Sequence, residues 1–271
     1  MAVATRPAQP GDPAVLEAAG AARRPPPSRS ARRPVLRYGT RPVVLGLVCL
    51  GLFLYVHYAN LDSIDKNALA GPVVLGDLAR HLLLTGVSTG IVIVIAVPLG
   101  ILLSRRVGRF LSGAVLGLSN LSQASPPFSL LFIFAIIFGI GVPEAIWGLV
   151  AYSALPILRN TMVGLSEVPP DVIESARGTG MSRFQVLTRI ELPLAVPVTM
   201  AGIRTALVIN VGTATLATFI GAGGLGDLIN NGIRLQRTPI LVVGSVLTAV
   251  VALGVEWLGT LAEAGLKPRG L

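Results

Sequence analysis

Leu82–Leu103 reads LLLTGVSTGIVIVIAVPLGILL, 22 residues without one charged side chain. A helical crossing of the hydrocarbon core takes about 20 predominantly apolar residues, so this stretch is expected to span a membrane. Five more stretches share its character: Val43–Ala59, Leu111–Gly139, Val142–Leu158, Leu194–Ile220 and Pro239–Leu258. Leu111–Gly139 is interrupted by Pro126-Pro127 and is expected to bend there or to consist of two pieces, because proline removes a backbone donor and crowds the preceding turn. Val142–Leu158 is short, and Pro156 is expected to kink it near its end. Of the 271 residues, 52% are hydrophobic and 13% charged, with a mean hydropathy of +0.74. A soluble domain carries about a quarter of its residues as charges, so a soluble enzyme and a disordered protein are excluded. A lone Cys49 excludes a disulfide scaffold. The expected fold class is an all-α integral membrane protein of about six transmembrane helices.

The charges give the topology. Residues 1–42 hold eight Pro and eight Arg with no recurring apolar face, and read as a disordered cytosolic tail. With that tail inside, alternation also puts Ser104–Phe110, Arg159–Pro193 and the C-terminus (264–271) inside. These segments carry seventeen Lys and Arg, against four in the outer segments: Lys66, Arg80, Arg234 and Arg237. The bias is that of a multi-pass protein with both termini cytoplasmic. The net charge of +9 lies beside apolar spans, so it reads as a topology signal beside membrane lipid and calls for no nucleic acid.

The loop Arg159–Pro193 is long in a chain whose other loops are short. Pro169-Pro170-Asp171 starts a helix, with Glu174 placed for a capping box on Asp171, and Gly178-Thr179-Gly180 stops it. Ser182-Arg183-Phe184-Gln185 is a second capping box, opening a helix that is expected to end at Leu192-Pro193. Two short helices joined by a glycine turn form a knob suited to docking a cytosolic partner.

Glu174-Ser175-Ala176, three residues, Gly180, nine residues, then Ile190-Glu191-Leu192-Pro193 resembles the EAA loop of ABC importer permeases, with Ser175 for the central Ala. Leu155–Thr161, Gly202–Ala206, Ile209–Ala217 and Ile220–Gly226 resemble permeases of the glycine betaine, carnitine and choline class. The resemblance runs from about His81 to Trp257. Gln123–Phe128, QASPPF, departs from the usual pattern at a stretch expected to line the bundle. It implies a type I (MetI-like) permease architecture: a first helix and outer loop over 43–76 and a permease domain over 77–263, with the EAA loop at 166–193. It also implies a bacterial plasma membrane location, ABC ATPase subunits as partners, a second permease subunit (the same chain or a related one) and an extracytoplasmic solute-binding protein. Glu174 and Gly180 would hold the shape of the knob, with Ser175, Ala176 and Gly178 between them. Arg177, Thr179, Met181 and Ser182 would present its surface. The implied solutes are quaternary ammonium osmoprotectants: glycine betaine, carnitine, choline and proline betaine. An amino-acid importer permease is the alternative, and an ATP-independent channel or membrane scaffold a remote one.

No catalytic or metal-ligand cluster and no Walker A sequence occurs, so this chain is expected to hold no cofactor and to be no enzyme, with ATP and Mg on the ATPase. Gly221–Gly226 fits G-x-G-x-x-G, but it lacks the strand–helix context and the acid about 20 residues on, and is read as a sharp outer turn. Gly86-Val87-Ser88-Thr89-Gly90 fits the hydrolase elbow, but both histidines, His57 and His81, precede it. Ser88 is instead expected to bond a carbonyl one turn back in its helix. Arg204 is an intramembrane charge, either lining the solute path or bonded to carbonyls or Glu256. With Gln123, Ser125, Asn210 and Thr213 it makes up the candidate path.

Overall fold

The computed structural model describes residues 34–105 and 108–266, and these residues form helices without a strand. The helices are α1 (Pro34–Tyr58), α2 (Ser63–Ala68), α3 (Gly71–Ser104), α4 (Arg109–Ala124), α5 (Pro127–Phe138) and α6 (Val142–Ser166). They continue with α7 (Pro170–Gly178), α8 (Arg183–Val186), α9 (Leu192–Ala214), α10 (Leu225–Arg234) and α11 (Thr238–Leu266). The compact body starts at Arg41; the unit before it ends at Thr40, and its described residues belong to α1. Of the expected tail, residues 1–33 lie outside the described residues, while 34–42 are helical rather than disordered. Proline's fixed φ suits a first helical turn, and Val35-Leu36-Arg37-Tyr38 offers nothing to stop it.

Four helical segments are long and apolar enough to cross a membrane: Thr40–Tyr58, Gly71–Ser104, Arg183–Ile220 and Thr238–Leu266. The pair α4–α5, broken at Pro126-Pro127 by a bend of 106°, has the geometry of a broken span or a re-entrant loop and counts as a fifth when its pieces are taken together. This is the two-piece outcome that the prolines demand. Helix α6, with 25 residues, is long enough, about 37 Å at 1.5 Å per residue, but is not apolar enough to stand among these candidate spans. Glu144, Arg159 and Asn160 dilute its apolar character. It tolerates them because it is the central helix, packed against α3, α4, α5 and α9.

Boundaries moved where apolarity alone was followed. Helix α3 starts at Gly71, so the expected domain limit at residue 76 falls inside it; Ala70-Gly71-Pro72 is the break, with Pro72 in the first turn. Helix α6 passes Pro156 and Leu158 and ends at Ser166, and α11 runs on to Leu266.

Pro156 survives inside α6 for a visible reason. It cannot donate to the carbonyl of Tyr152, four residues back. Gln123 of α4 supplies the missing donor, with its Nε2 3.1 Å from that oxygen. Asn160 in turn donates to the Pro156 carbonyl at 2.8 Å. One turn on, α6 meets α9 at Gly202, where a Cβ would lie 2.7 Å from the Pro156 oxygen, so only glycine lets these backbones come so close. Around this contact Val92, Ala96, Leu103, Val150, Ile157, Leu158 and Ala206 form one buried apolar layer.

Several hydroxyls in the bundle bond carbonyls of their own helix. Thr85 bonds the His81 carbonyl at 2.9 Å, and Ser153 bonds that of Leu149 at 2.8 Å. Ser88 bonds the Thr85 carbonyl at 3.2 Å, in the structural role expected of it. The glycine run 221–226 forms the expected sharp turn, with positive φ at Gly221, Gly223 and Gly224.

Away from the bundle, Asp62 caps α2 by accepting from Ile64 and Asp65 N–H groups at 3.0 and 2.9 Å, and Arg237 pairs with it. The Asp65 N–H, helped by Arg237, holds the Asp62 carboxyl below its ordinary value. A depressed folded-state value means that this contribution is present above the unfolded carboxylate range and is lost as pH falls through the folded value.

Two outcomes follow. Gln123→Leu strands the Tyr152 carbonyl and is expected to cost about 1–3 kcal/mol, read as a lower melting temperature of the detergent-solubilised protein. Acidification below the ordinary carboxylate range is expected to lower amide protection in α2, relative to the intrinsic exchange rate at each pH, before the bundle responds, and protection that stays unchanged would discount the Asp62 cap.

Candidate functional site: the interhelical loop

The loop between α6 and α9 is built from short-range rules. Pro170 takes the first helical position of α7, so Pro169 is the cap residue and has no side chain to accept a bond. The capping box expected of Asp171 and Glu174 therefore does not form. Asp171 instead sits in the first turn, where its charge complements the helix dipole, and Glu174 is exposed.

The end of α7 is closed as its glycines required. Gly180 adopts φ +85°, its N–H donates to the Arg177 carbonyl at 2.9 Å, and the Met181 N–H reaches back to Ala176 at 3.3 Å. This pair of bonds is the Schellman arrangement, which satisfies carbonyls that the helix end leaves open. A Cβ at Gly180 would meet open space, so φ rather than crowding makes glycine the fitting residue. Thr179 adds a side-chain bond to the Ala176 carbonyl at 2.8 Å.

The second capping box is present in full. The Ser182 N–H donates to the Gln185 side chain at 2.8 Å, and the Gln185 N–H donates to the Ser182 hydroxyl at 3.3 Å. The helix it opens does not stop at Leu192-Pro193. A π turn at Leu187–Glu191, with the Leu192 N–H bonded to the Leu187 carbonyl, carries α8 directly into α9. Pro193 cannot donate to Arg189, and the wider turn absorbs that gap. What the sequence presents as a free second helix is thus the first turn of a membrane-crossing rod, Arg183–Ile220.

The nine expected loop residues come together on one knob. Ala176 is buried and, with Val168 and Val186, anchors it. Glu174, Ser175, Arg177, Gly178, Thr179, Gly180 and Ser182 are exposed, and Met181 is half-buried. Phe184, 72% exposed, adds an apolar tip.

Two residues that sequence reasoning missed tie the knob to the bundle. Glu191, in the π turn, has a side chain only 5% exposed and pairs with Arg105 just beyond the end of α3. The available signal was a lone acid inside the apolar run Ile190–Leu194.

Of the five path candidates, Asn210 and Thr213 lie one turn apart on α9, and Gln123, Ser125 and Arg204 lie on other turns or helices. Gln123 is committed to Tyr152, and Ser125 bonds the Leu121 carbonyl at 3.0 Å. Asn210 is fully buried, with its Nδ2 2.9 Å from Thr89 Oγ1 between α9 and α3, and Thr213 is also buried. Arg204 does not bond Glu256. It pairs with Glu263 at 3.1 Å and Thr260 at 3.2 Å near the end of α11, while Glu256 pairs with Arg41 at 3.2 Å. A long guanidinium stem lets the charge reach the last turns of a neighbour rather than remain at its own depth. At the other end of the bundle, a cavity of about 530 Å³ is lined by Asp77, Arg80, Asp227 and the backbone of Gly221, Gly223 and Gly224.

Residues 96–268 match the family model described as the binding-protein-dependent transport system inner membrane component. The choline transport system permease protein OpuBD of Bacillus subtilis (strain 168) is 40% identical over 199 residues, 73% of this chain and 87% of that protein. The osmoprotectant import permease protein OsmY of Salmonella typhimurium is 44% identical over 207 residues, 76% of this chain and 86% of that one. The inward-facing MetNI methionine ABC transporter has a chain of the same fold, with a TM-score of 0.64 at 23% identity, covering 74% of this chain and 100% of that one.

Ser182→Ala removes half of the capping box and is expected to cost about 1 kcal/mol of local stability. Faster exchange of the Gln185 amide, with the bundle unaffected, is the measurement that checks it.

Proposed function

The chain belongs to the family of binding-protein-dependent transport system inner membrane components, which makes it a permease of an ATP-driven importer, and we propose that its solutes are quaternary ammonium osmoprotectants. Glycine betaine, carnitine, choline and proline betaine make up the class. The observation that carries this reading is identity of 38–44%, over about three quarters of the chain, to permeases for choline, carnitine, glycine betaine and osmoprotectants. The amino-acid reading rests on a likeness of fold alone.

The protein is a multi-pass component of the bacterial plasma membrane, and the positive-inside bias supports cytoplasmic termini. No Walker A sequence occurs in the chain, which supports ATP and Mg on separate ATPase subunits. A second permease subunit and an extracytoplasmic binding protein complete the importer. Solute choice falls to that binding protein, where aromatic side chains can enclose a quaternary ammonium.

In this reading the ATPase grips the knob. Arg177, Thr179, Ser182 and the tip of Phe184 offer it charge, hydrogen bonds and an apolar anchor. Closure of the ATPases is a rigid-body movement. The knob can pass it on because Gly180 and the Ser182 box fix its shape and Arg183–Ile220 continues from it as one rod.

Gly180→Asp puts a side chain where φ is +85° and a charge on the gripped surface. Membrane insertion is expected to persist, while ATPase co-purification and uptake of radiolabelled glycine betaine are lost. Undiminished uptake by this variant would count against the reading. Uptake of an amino acid but of no betaine by the parent chain would count against the solute class.

A further inference from the structure

We propose that the Arg105–Glu191 ion pair is the strut that passes the movement of the gripped knob to α3, and with it to the cavity at the opposite end of the bundle. The proposal rests on the importer reading above and adds positioning residues to it.

Glu191 lies in the π turn between the knob and α9, and its carboxylate is nearly closed off from solvent. Its partner comes from 86 residues earlier in the chain, directly after the last turn of α3. The pair borders a hollow of about 460 Å³ that separates the ends of α3 and α6 from the underside of α7. Ser104, Ser166, Ile173 and Arg177 line the same hollow. Apolar packing does not fill this space, and the charged pair on its wall is the polar link there between the end of α3 and the π turn.

The two ends of the bridge are unequal. Arg105 is 39% exposed and can be hydrated without its partner, whereas Glu191 cannot. The buried acid therefore follows the arginine. When the knob moves the π turn, the favourable position for Arg105 moves with it, and Arg105 is attached to α3. Helix α3 has 34 residues, about 51 Å at 1.5 Å each. At its other end it carries Asp77 and Arg80, which line the far cavity. One ion pair thus adds a charged link between the rod Arg183–Ile220 and α3 at the knob end, beyond the packing and the Asn210–Thr89 bond that join them along their length.

The experiment is a transport assay in proteoliposomes with the complete importer, reading solute imported per ATP hydrolysed. Glu191→Gln keeps the shape of the side chain and removes the charge. ATPase is expected to co-purify with this variant, and import per ATP is expected to fall about tenfold, within the range of site–site couplings. Arg105→Lys, which retains the positive charge, is expected to keep the ratio near that of the parent chain. The double variant Arg105→Gln/Glu191→Gln leaves no stranded charge and covers the case in which the single change fails to fold; the same fall is expected. A parent-like ratio in an assembled Glu191→Gln or double-variant complex overturns the strut, as does loss of the ATPase from either complex. Gly180→Asp tests the importer reading separately: if the ATPase remains bound to that variant, the grip itself is wrong, whatever Glu191 does.

Discussion

In a bilayer every backbone donor and acceptor needs a partner within the protein, because lipid offers none. The architecture follows from that constraint. Helices meet it by themselves until a proline intervenes, and three proline sites are answered in three different ways. At Pro126-Pro127 the chain gives up continuity and turns through 106°. At Pro193 the helix widens into a π turn and continues. At Pro156 a neighbouring side chain supplies the lost donor.

The answer at Pro193 positions the knob. Because the widened turn preserves the helix, the loop docks on a continuation of α9 rather than on a flexible tether. The same turn buries Glu191 and directs it toward Arg105. The reading of the chain as an importer permease and the route by which it could be driven thus share one local backbone irregularity, at Leu187–Glu191.

Much of this was legible in the residues. Spans announce themselves through uncharged runs, and the Pro-Pro break, the glycine stop at 178–180 and the Ser182 box were all readable because each depends on neighbours within a few positions. What escaped depends on tertiary context. The box on Asp171 failed because Pro170 claimed the first helical position ahead of it. Pro193 did not end its helix because a change in hydrogen-bond spacing, invisible in composition, absorbed it. Arg204 found Glu263 rather than Glu256 because side-chain reach and helix rotation, not sequence order, choose ion-pair partners. The pairing of Arg105 with Glu191 was beyond local reading, since only the fold brings the two together. The bond of Gln123 to the Tyr152 carbonyl was equally beyond local reading, since its amide fills a gap in another helix.

That last arrangement has an evolutionary corollary. Positions 123 and 156 share one vacancy, so neither is free to drift alone. A chain that replaces Pro156 regains its own donor and releases position 123 from duty, whereas a chain that loses the amide first must tolerate a naked carbonyl in oil. The order of substitution is therefore asymmetric: the ring must go before the amide can.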